Sequence, residues 1–259
     1  MSKMKLSIVA SNRNRLIPGT NCSDWFLKSI QWQTFKDIEL VIADGGSDNY
    51  DDLRTYFKEA KSEIPMRITQ LVIGEAFERS RLNNVGVRHA KGEFIMTTDV
   101  DMLYAPTFIQ AVMDKAALGK LVESRTQYLR GSAAKMVYDG KYLPWSEINE
   151  QKPGRIGRIK KRTTAGGCQC MHKDDWNKIR GFDESYVGWG SEDQDLLERA
   201  KFAKIKPIWL GENNDCKLFH QPHAKESVKK DLEYQEENKR RLAHIKEYQV
   251  NPNGWGGLK

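Results

Sequence analysis

Phe94-Ile95-Met96-Thr97-Thr98-Asp99-Val100-Asp101 is the stretch that decides how this chain folds. Apolar and β-branched residues without polar alternation describe a strand buried on both faces. The strand stops at two carboxylates spaced two apart, where the following loop can turn both toward one site. Hard divalent cations take oxygen ligands, so Asp99 and Asp101 are candidates to hold Mn²⁺ or Mg²⁺, which in turn can hold a diphosphate.

Upstream, strand and helix patterns alternate. Residues 6–10 read as a strand, and residues 23–33 as a helix with Trp25, Phe26, Ile30 and Trp32 inward. Residues 38–43 form a second strand, ended by Asp44-Gly45-Gly46-Ser47-Asp48. Residues 51–61 read as helix, 66–73 as strand, and 76–90 as a helix with Phe77, Leu82, Val85 and His89 inward. Strands spaced by helices predict an α/β fold with a mainly parallel sheet flanked by helices. Ligands of such sheets sit beyond the carboxyl ends of the strands, where the polar motifs here fall.

The second half is less regular. Helix is expected over 106–118, strand over 122–129, strand over 163–171, and helices over 173–179 and 192–203. Short strands follow at 207–210 and 218–220, then a charged helix over 225–248 docked through Val228, Leu232 and Leu242. Residues 138–162, rich in Gly, Pro, Lys and Arg, read as a long loop or lid.

Three more groups carry chemistry. In Gly188-Trp189-Gly190-Ser191-Glu192-Asp193-Gln194-Asp195, Ser191 and Gln194 have capping-box spacing, which starts the helix at Glu192. Glu192 and Asp193 then lie in its first turn, where the helix dipole favours ionised carboxylates able to accept a proton or a sugar hydroxyl. Trp189, between glycines, suits stacking on a pyranose face. His220 and His223, around Gln221 and Pro222, can complete a metal site. Arg13, Arg15, Arg79 and Arg81 can grip phosphate or a nucleobase edge, and Asp44 can accept from a uracil imide or a ribose hydroxyl.

The formal charge of +7 raises nucleic acid as a partner. The basic runs, over 155–162 and 225–246, lack interleaved aromatics, and no zinc-finger, helix-turn-helix or RNA-binding signature occurs, so no nucleic acid is expected. The mixed Glu and Lys of the tail favour a solvated helix, with peripheral docking on an anionic membrane as its alternative. No apolar run reaches membrane-spanning length, and residues 6–10 are too short for a signal-peptide core, so a cytoplasmic location is expected. Cys22, Cys168, Cys170 and Cys216 are read as reduced, some of them buried, with Cys168 and Cys170 diverging rather than sharing a metal or disulfide.

Taken in order, Asp44-Gly-Gly-Ser-Asp48, Asn84-Val-Gly86, Ala90-Lys-Gly-Glu93 and Asp99-Val-Asp101 resemble the inverting family-two glycosyltransferases of the GT-A fold. Asn12-Arg-Asn-Arg15, Phe77-Glu-Arg-Ser-Arg-Leu-Asn-Asn-Val-Gly86, Gly181-Phe-Asp-Glu184 and Gly188-Trp-Gly-Ser-Glu-Asp193 resemble β-1,4-galactosyltransferases and bacterial chondroitin-polymerase-like enzymes. The similarity runs over residues 5–245. It implies a single GT-A catalytic domain over 1–222, with a nucleotide-sugar half (1–104) and an acceptor half (105–222), then a helical extension over 223–259. It also implies that Arg13, Arg15, Asp44, Phe77, Arg79 and Asp99 contact the UDP-sugar, and that Asp101 and His220 hold Mn²⁺ or Mg²⁺, with Asp99 and His223 nearby. Trp189 and Glu192 would bind a glycan acceptor, lipid- or protein-linked, and Asp193 would be the catalytic base. Where those galactosyltransferases carry a metal-binding methionine, three residues before the histidine, this chain has Lys217.

The resulting expectation is inverting, metal-dependent transfer of a hexose or N-acetylhexosamine in polysaccharide biosynthesis. A nucleotidyltransferase is the rival enzyme class, but Ser11-Asn-Arg-Asn-Arg15 is not the Gly-rich phosphate loop such enzymes place after the first strand. A basic non-catalytic glycan or nucleic-acid binder would leave the acidic motifs unexplained.

Overall fold

The computed structural model describes residues 5–17, 21–59, 62–129, 131–139, 145–146, 166–211, 216–221, 229–245 and 247–257. In chain order the first half comprises β1 (Leu6–Asn12), α1 (Asn21–Gln31), β2 (Ile38–Asp44), α2 (Tyr50–Glu59), β3 (Met66–Gln70), α3 (Arg79–His89) and β4 (Phe94–Asp99). There follow β5 (Met102–Tyr104), α4 (Phe108–Lys115), β6 (Lys120–Glu123), β7 (Gln127–Tyr128) and α5 (Gly131–Tyr138). The remainder is β8 (Gln169–His172), α6 (Lys173–Ile179), α7 (Glu192–Phe202), β9 (Lys206–Trp209), β10 (Leu218–His220) and α8 (Lys229–Leu242).

Seven strands form one sheet in the order β3-β2-β1-β4-β8-β6-β9. β1 to β4 run parallel, β8 runs against both β4 and β6, and β9 is parallel to β6. The sheet is therefore mixed and mainly parallel, and both halves of the chain contribute to it. β5, β10 and β7 make a second, small sheet.

Side chains alternate across β1. Leu6, Ile8 and Ala10 enter a core with Phe26, Ile30, Phe57 and Phe108, while Val9 faces Val87, Ile95, Trp176 and Leu196. Helices thus cover both faces, which keeps the strands continuously apolar. α3 lies close enough that a Cβ on Gly86 would stand 2.3 Å from Val9 Cγ1. Gly86→Ala is accordingly expected to cost about 1–3 kcal/mol through overpacking. A denaturation midpoint equal to that of the parent protein would show that α3 can back away freely.

Several expected elements differ in the structure. The single strand over 122–129 is two: β6 pairs with β8 and β9, the chain bends at residues 124–126, and β7 pairs with β10 in the other sheet. α3 begins at Arg79 rather than near residue 76, because the Phe77 carbonyl accepts the Gly188 N–H at 3.0 Å instead of continuing a helix. α5 arises where no helix is expected. The tail helix ends at Leu242, and Tyr248 beyond it packs into the core on the α7 face. Val228 and most of residues 138–162 lie outside the described residues. Leu242 is half-buried, but Tyr234 and Asn238 carry the docking visible in α8. Cys168 and Cys170 enter the same core cluster, as side chains two apart in an extended segment do. Burial pushes the Cys170 thiol up to about 12, so it stays protonated and inert. Among the described residues no helix is long and apolar enough to cross a membrane.

Candidate active site

The polar motifs gather beyond the carboxyl ends of β1, β2 and β4. At the β4 end, Asp101 lies in the turn before β5, and its carbonyl accepts the Gln221 N–H at 2.9 Å, which draws the end of β10 toward it. His220 Nε2 thereby stands 3.5 Å from Asp101 Oδ2. Tyr128, opposite His220 on β7, places its ring 5.1 Å from the imidazole and is 55% exposed, an aromatic neighbour that the sequence reading does not single out. Burial and then the Asp101 charge push the nearby Cys22 thiol up to about 12, and the Arg15 charge opposes them.

Arg79 opens α3 and is the hub of the site. Its Nε donates to Asp99 Oδ1 at 2.8 Å, and its Nη1 to Asp193 Oδ1 at 2.7 Å and Glu192 Oε1 at 3.3 Å. Nη2 donates to the Gly166 carbonyl at 2.9 Å. The guanidinium expected to face the nucleotide is thus engaged by three carboxylates of its own protein. One cation does not compensate three anions gathered around it, of which Glu192 is buried and Asp99 and Asp193 are partly open. Burial pushes Asp99 up to about 6, and burial with the adjacent Asp193 charge pushes Glu192 up to about 7.

The capping box does not form. Ser191 has φ 74°, and its side chain caps nothing. Glu192 instead accepts the Gly190 N–H at 3.0 Å, closing the loop on itself. Gly188 has φ +69°, and a Cβ there would meet the Tyr234 ring at 2.9 Å. Asn238 Nδ2 donates to the Val187 carbonyl at 2.9 Å, so α8 buttresses the loop that holds Trp189. Trp189 itself is 65% exposed. Glu192 is buried, whereas the Asp193 side chain keeps 20% of its surface open.

On the other flank, Arg13 Nη1 donates to the carbonyls of Gly74 at 2.6 Å and Glu75 at 3.2 Å. Phe77 packs half-buried against Leu71, Ile73 and Leu82. Asp44, expected to meet the nucleotide, is fully buried. Its oxygens accept from the Gly46 and Ser47 N–H groups, Asn12 Nδ2 and Ser47 Oγ, at 2.5 to 2.9 Å. In this state Asp44 shapes the Asp44–Asp48 turn, and a nucleotide contact has to replace one of those bonds.

The sequence signature of glycosyl transferase family 2 matches residues 24–179. The chain belongs to that family. The signature described as the N-terminal domain of galactosyltransferase matches residues 156–228, which span the Trp189–Asp193 loop and His220. Among curated relatives, mouse (Mus musculus) chondroitin sulfate N-acetylgalactosaminyltransferase 2 is 26% identical over 196 residues, covering 74% of this chain and 36% of that enzyme. The chain therefore spans about a third of that relative's length. Among solved structures, S. aureus TarS 1-349 in complex with UDP-GlcNAc superposes with a TM-score of 0.60 at 17% identity, over 93% of this chain and 66% of that one. GalNAc-T7 with UDP, GalNAc and Mn²⁺ gives 0.62 at 15% identity, over 95% of this chain and 49% of that one. At such identities these two speak for the GT-A fold alone.

The corner at Asp101 and His220 fits a divalent cation by its donor set. A carboxylate oxygen and an imidazole nitrogen 3.5 Å apart can both reach an ion that takes ligands at about 2.1 Å. Lys217, three residues before His220, offers an ammonium and no lone pair when charged. Among the described residues no group of three His, Cys, Asp or Glu side chains is placed to hold a metal ion. Asp99 directs one oxygen to Arg79, and His223 lies outside the described residues.

Proposed function

We propose that this family-two protein transfers a hexose or N-acetylhexosamine from a UDP-sugar to a carbohydrate acceptor with inversion, in glycan biosynthesis, with Mn²⁺ or Mg²⁺ at Asp101 and His220. One observation carries the reading. A continuous line of contacts runs from the exposed Trp189 loop through Asp193 and Arg79 to Asp99, two residues from the Asp101–His220 pair. An acceptor stacked on Trp189 presents its hydroxyl to the open side of Asp193, and a donor held at the β4 end presents its anomeric carbon nearby. The relative that makes an N-acetylgalactosaminyl linkage, and the neighbours bound to UDP-GlcNAc or to UDP with GalNAc and Mn²⁺, support this class of donor.

Asp193 takes the proton of the attacking hydroxyl. Arg79 remains paired with Asp99 and Glu192 when Asp193 becomes neutral, so the proton arrives without stranding a buried cation. Glu192 holds the Gly190 N–H and keeps Trp189 presented. A divalent cation at Asp101 and His220 would supply charge neutralisation for the departing diphosphate. The test is UDP release from UDP-Gal, UDP-GalNAc, UDP-Glc and UDP-GlcNAc with oligosaccharide acceptors. Release from at least one donor is expected, falling about tenfold or more in EDTA and returning with added Mn²⁺. Silence with every donor, alongside pyrophosphate formation from UTP and a sugar phosphate, would reassign the protein to the nucleotidyltransferases.

A further inference from the structure

Glu123 and Gln169 stand opposite one another on the antiparallel neighbours β6 and β8, both fully buried. Gln169 Nε2 reaches Glu123 Oε1 at 3.4 Å and the backbone carbonyl of Asp193 at 3.3 Å. The pair's other oxygens, Glu123 Oε2 and Gln169 Oε1, are buried with no hydrogen-bond partner. Two bare acceptors in one cross-strand pair are costly, and an ionised carboxylate cannot relieve them. A proton on Glu123 Oε2 turns one of them into a donor for the other. Acid and amide then match group for group, and the second amide N–H remains for Asp193.

We propose that Glu123 is a positioning residue: as a neutral acid paired with Gln169, it fixes the backbone of Asp193 at the first turn of α7, and its ionisation loosens that hold. The proposal rests on the reading of Asp193 as the base. The surroundings favour the neutral form. Burial pushes Glu123 up to about 8, the Gln169 hydrogen bond opposing, and the Asp193 charge adds to the rise. From α7, Glu198 opposes ionisation and Lys201 favours it. The buried Cys168 thiol, just before β8, is raised chiefly by its own burial and feels Glu123 as well. β9 brings Trp209 alongside, which does not titrate.

The linkage has a definite sign. The folded pKa lies above the ordinary glutamate value of 4.5, so between about pH 4.5 and 8 the folded protein binds more protons than the unfolded chain. The stability due to this group is complete below that window and is lost as pH rises through it. Above about pH 8, Glu123 offers only acceptors, Gln169 Oε1 loses its donor while Nε2 keeps its acceptor, and the amide is held from one side only, which loosens its grip on the carbonyl of Asp193.

The experiment compares Glu123→Ala with Glu123→Gln, whose amide can donate as the neutral acid does but cannot ionise. Glu123→Ala is expected to lower kcat about tenfold at pH 7 with the UDP-sugar KM unchanged, and Glu123→Gln to restore it. Glu123→Gln is also expected to remove the fall in kcat above about pH 8 and to flatten the decline of Tm between pH 5 and 8. If Glu123→Ala fails to fold, Glu123→Gln still decides. A Tm slope identical to the parent's would overturn the proposal, whatever the alkaline limb does. The Tm slope needs no turnover: a flattened slope in a protein that releases no UDP sinks the glycosyltransferase reading alone, and an unchanged slope sinks the acid–amide pair.

Discussion

Asp193→Asn is expected to lower kcat by about 10²–10⁴-fold, the usual worth of a general base, with UDP-sugar affinity nearly unchanged. Asparagine keeps the shape and offers Arg79 the same carbonyl-type acceptor at the 2.7 Å position, so the hub of the site survives. Basicity alone is removed. Glu192 provides the contrast because it is buried, accepts the Gly190 N–H and lies farther from Arg79 Nη1, at 3.3 Å. Glu192→Gln is expected to raise acceptor KM by loosening the loop that presents Trp189, with a smaller effect on kcat. Steady-state kinetics with varied acceptor separates the two. Wild-type kcat in Asp193→Asn together with a collapsed kcat in Glu192→Gln would exchange their roles.

The sequence makes some of this molecule legible and hides the rest for physical reasons. β1, β2 and β4 are readable because buried parallel strands are continuous apolar runs, and their ends are readable because polar residues follow at once: Asp44-Gly-Gly-Ser and Asp99-Val-Asp. α6 is read to the residue, since Lys173 and Ile179 bound a short run with the buried Trp176 at its centre. The Arg79 hub is not readable. It joins residues 20 and 114 positions apart, and nothing local in Phe77-Glu-Arg-Ser says that the guanidinium will meet acids of its own chain rather than a phosphate. The Ser191 cap fails for a related reason. The local pattern favours it, but Ser191 stands left-handed at φ 74° and Glu192 accepts the Gly190 N–H, a closure of the loop that the capping-box spacing does not announce. Glu123 is hidden most completely. Within Leu121-Val122-Glu123 it reads as the polar end of a strand, and only the sheet order, which puts β8 beside β6, buries it against Gln169.

Asp101→Ala is expected to abolish Mn²⁺ binding at the His220 corner and to cut transfer by about 10²–10³-fold, comparable to the loss of a principal electrostatic stabiliser. Its effect on the fold should be small. The residue lies in a turn, and what ties that turn to β10 is the backbone bond from Gln221, which a truncated side chain does not touch. Removing the carboxylate leaves His220 as the one described donor at the corner, and a single imidazole holds a hard cation weakly. Asp99→Asn separates the functions of the two acids. Asp99 is bonded to Arg79 at 2.8 Å, so its substitution should disturb the Asp193 hub and leave Mn²⁺ affinity largely intact. Titration calorimetry with Mn²⁺ in the presence of UDP reads metal binding apart from turnover, and circular dichroism checks that the fold persists. Undiminished Mn²⁺ affinity in Asp101→Ala would move the cation to Asp99. Undiminished transfer in both variants would remove the metal from the reaction, leaving Arg13 and Arg15 to meet the charge of the departing UDP.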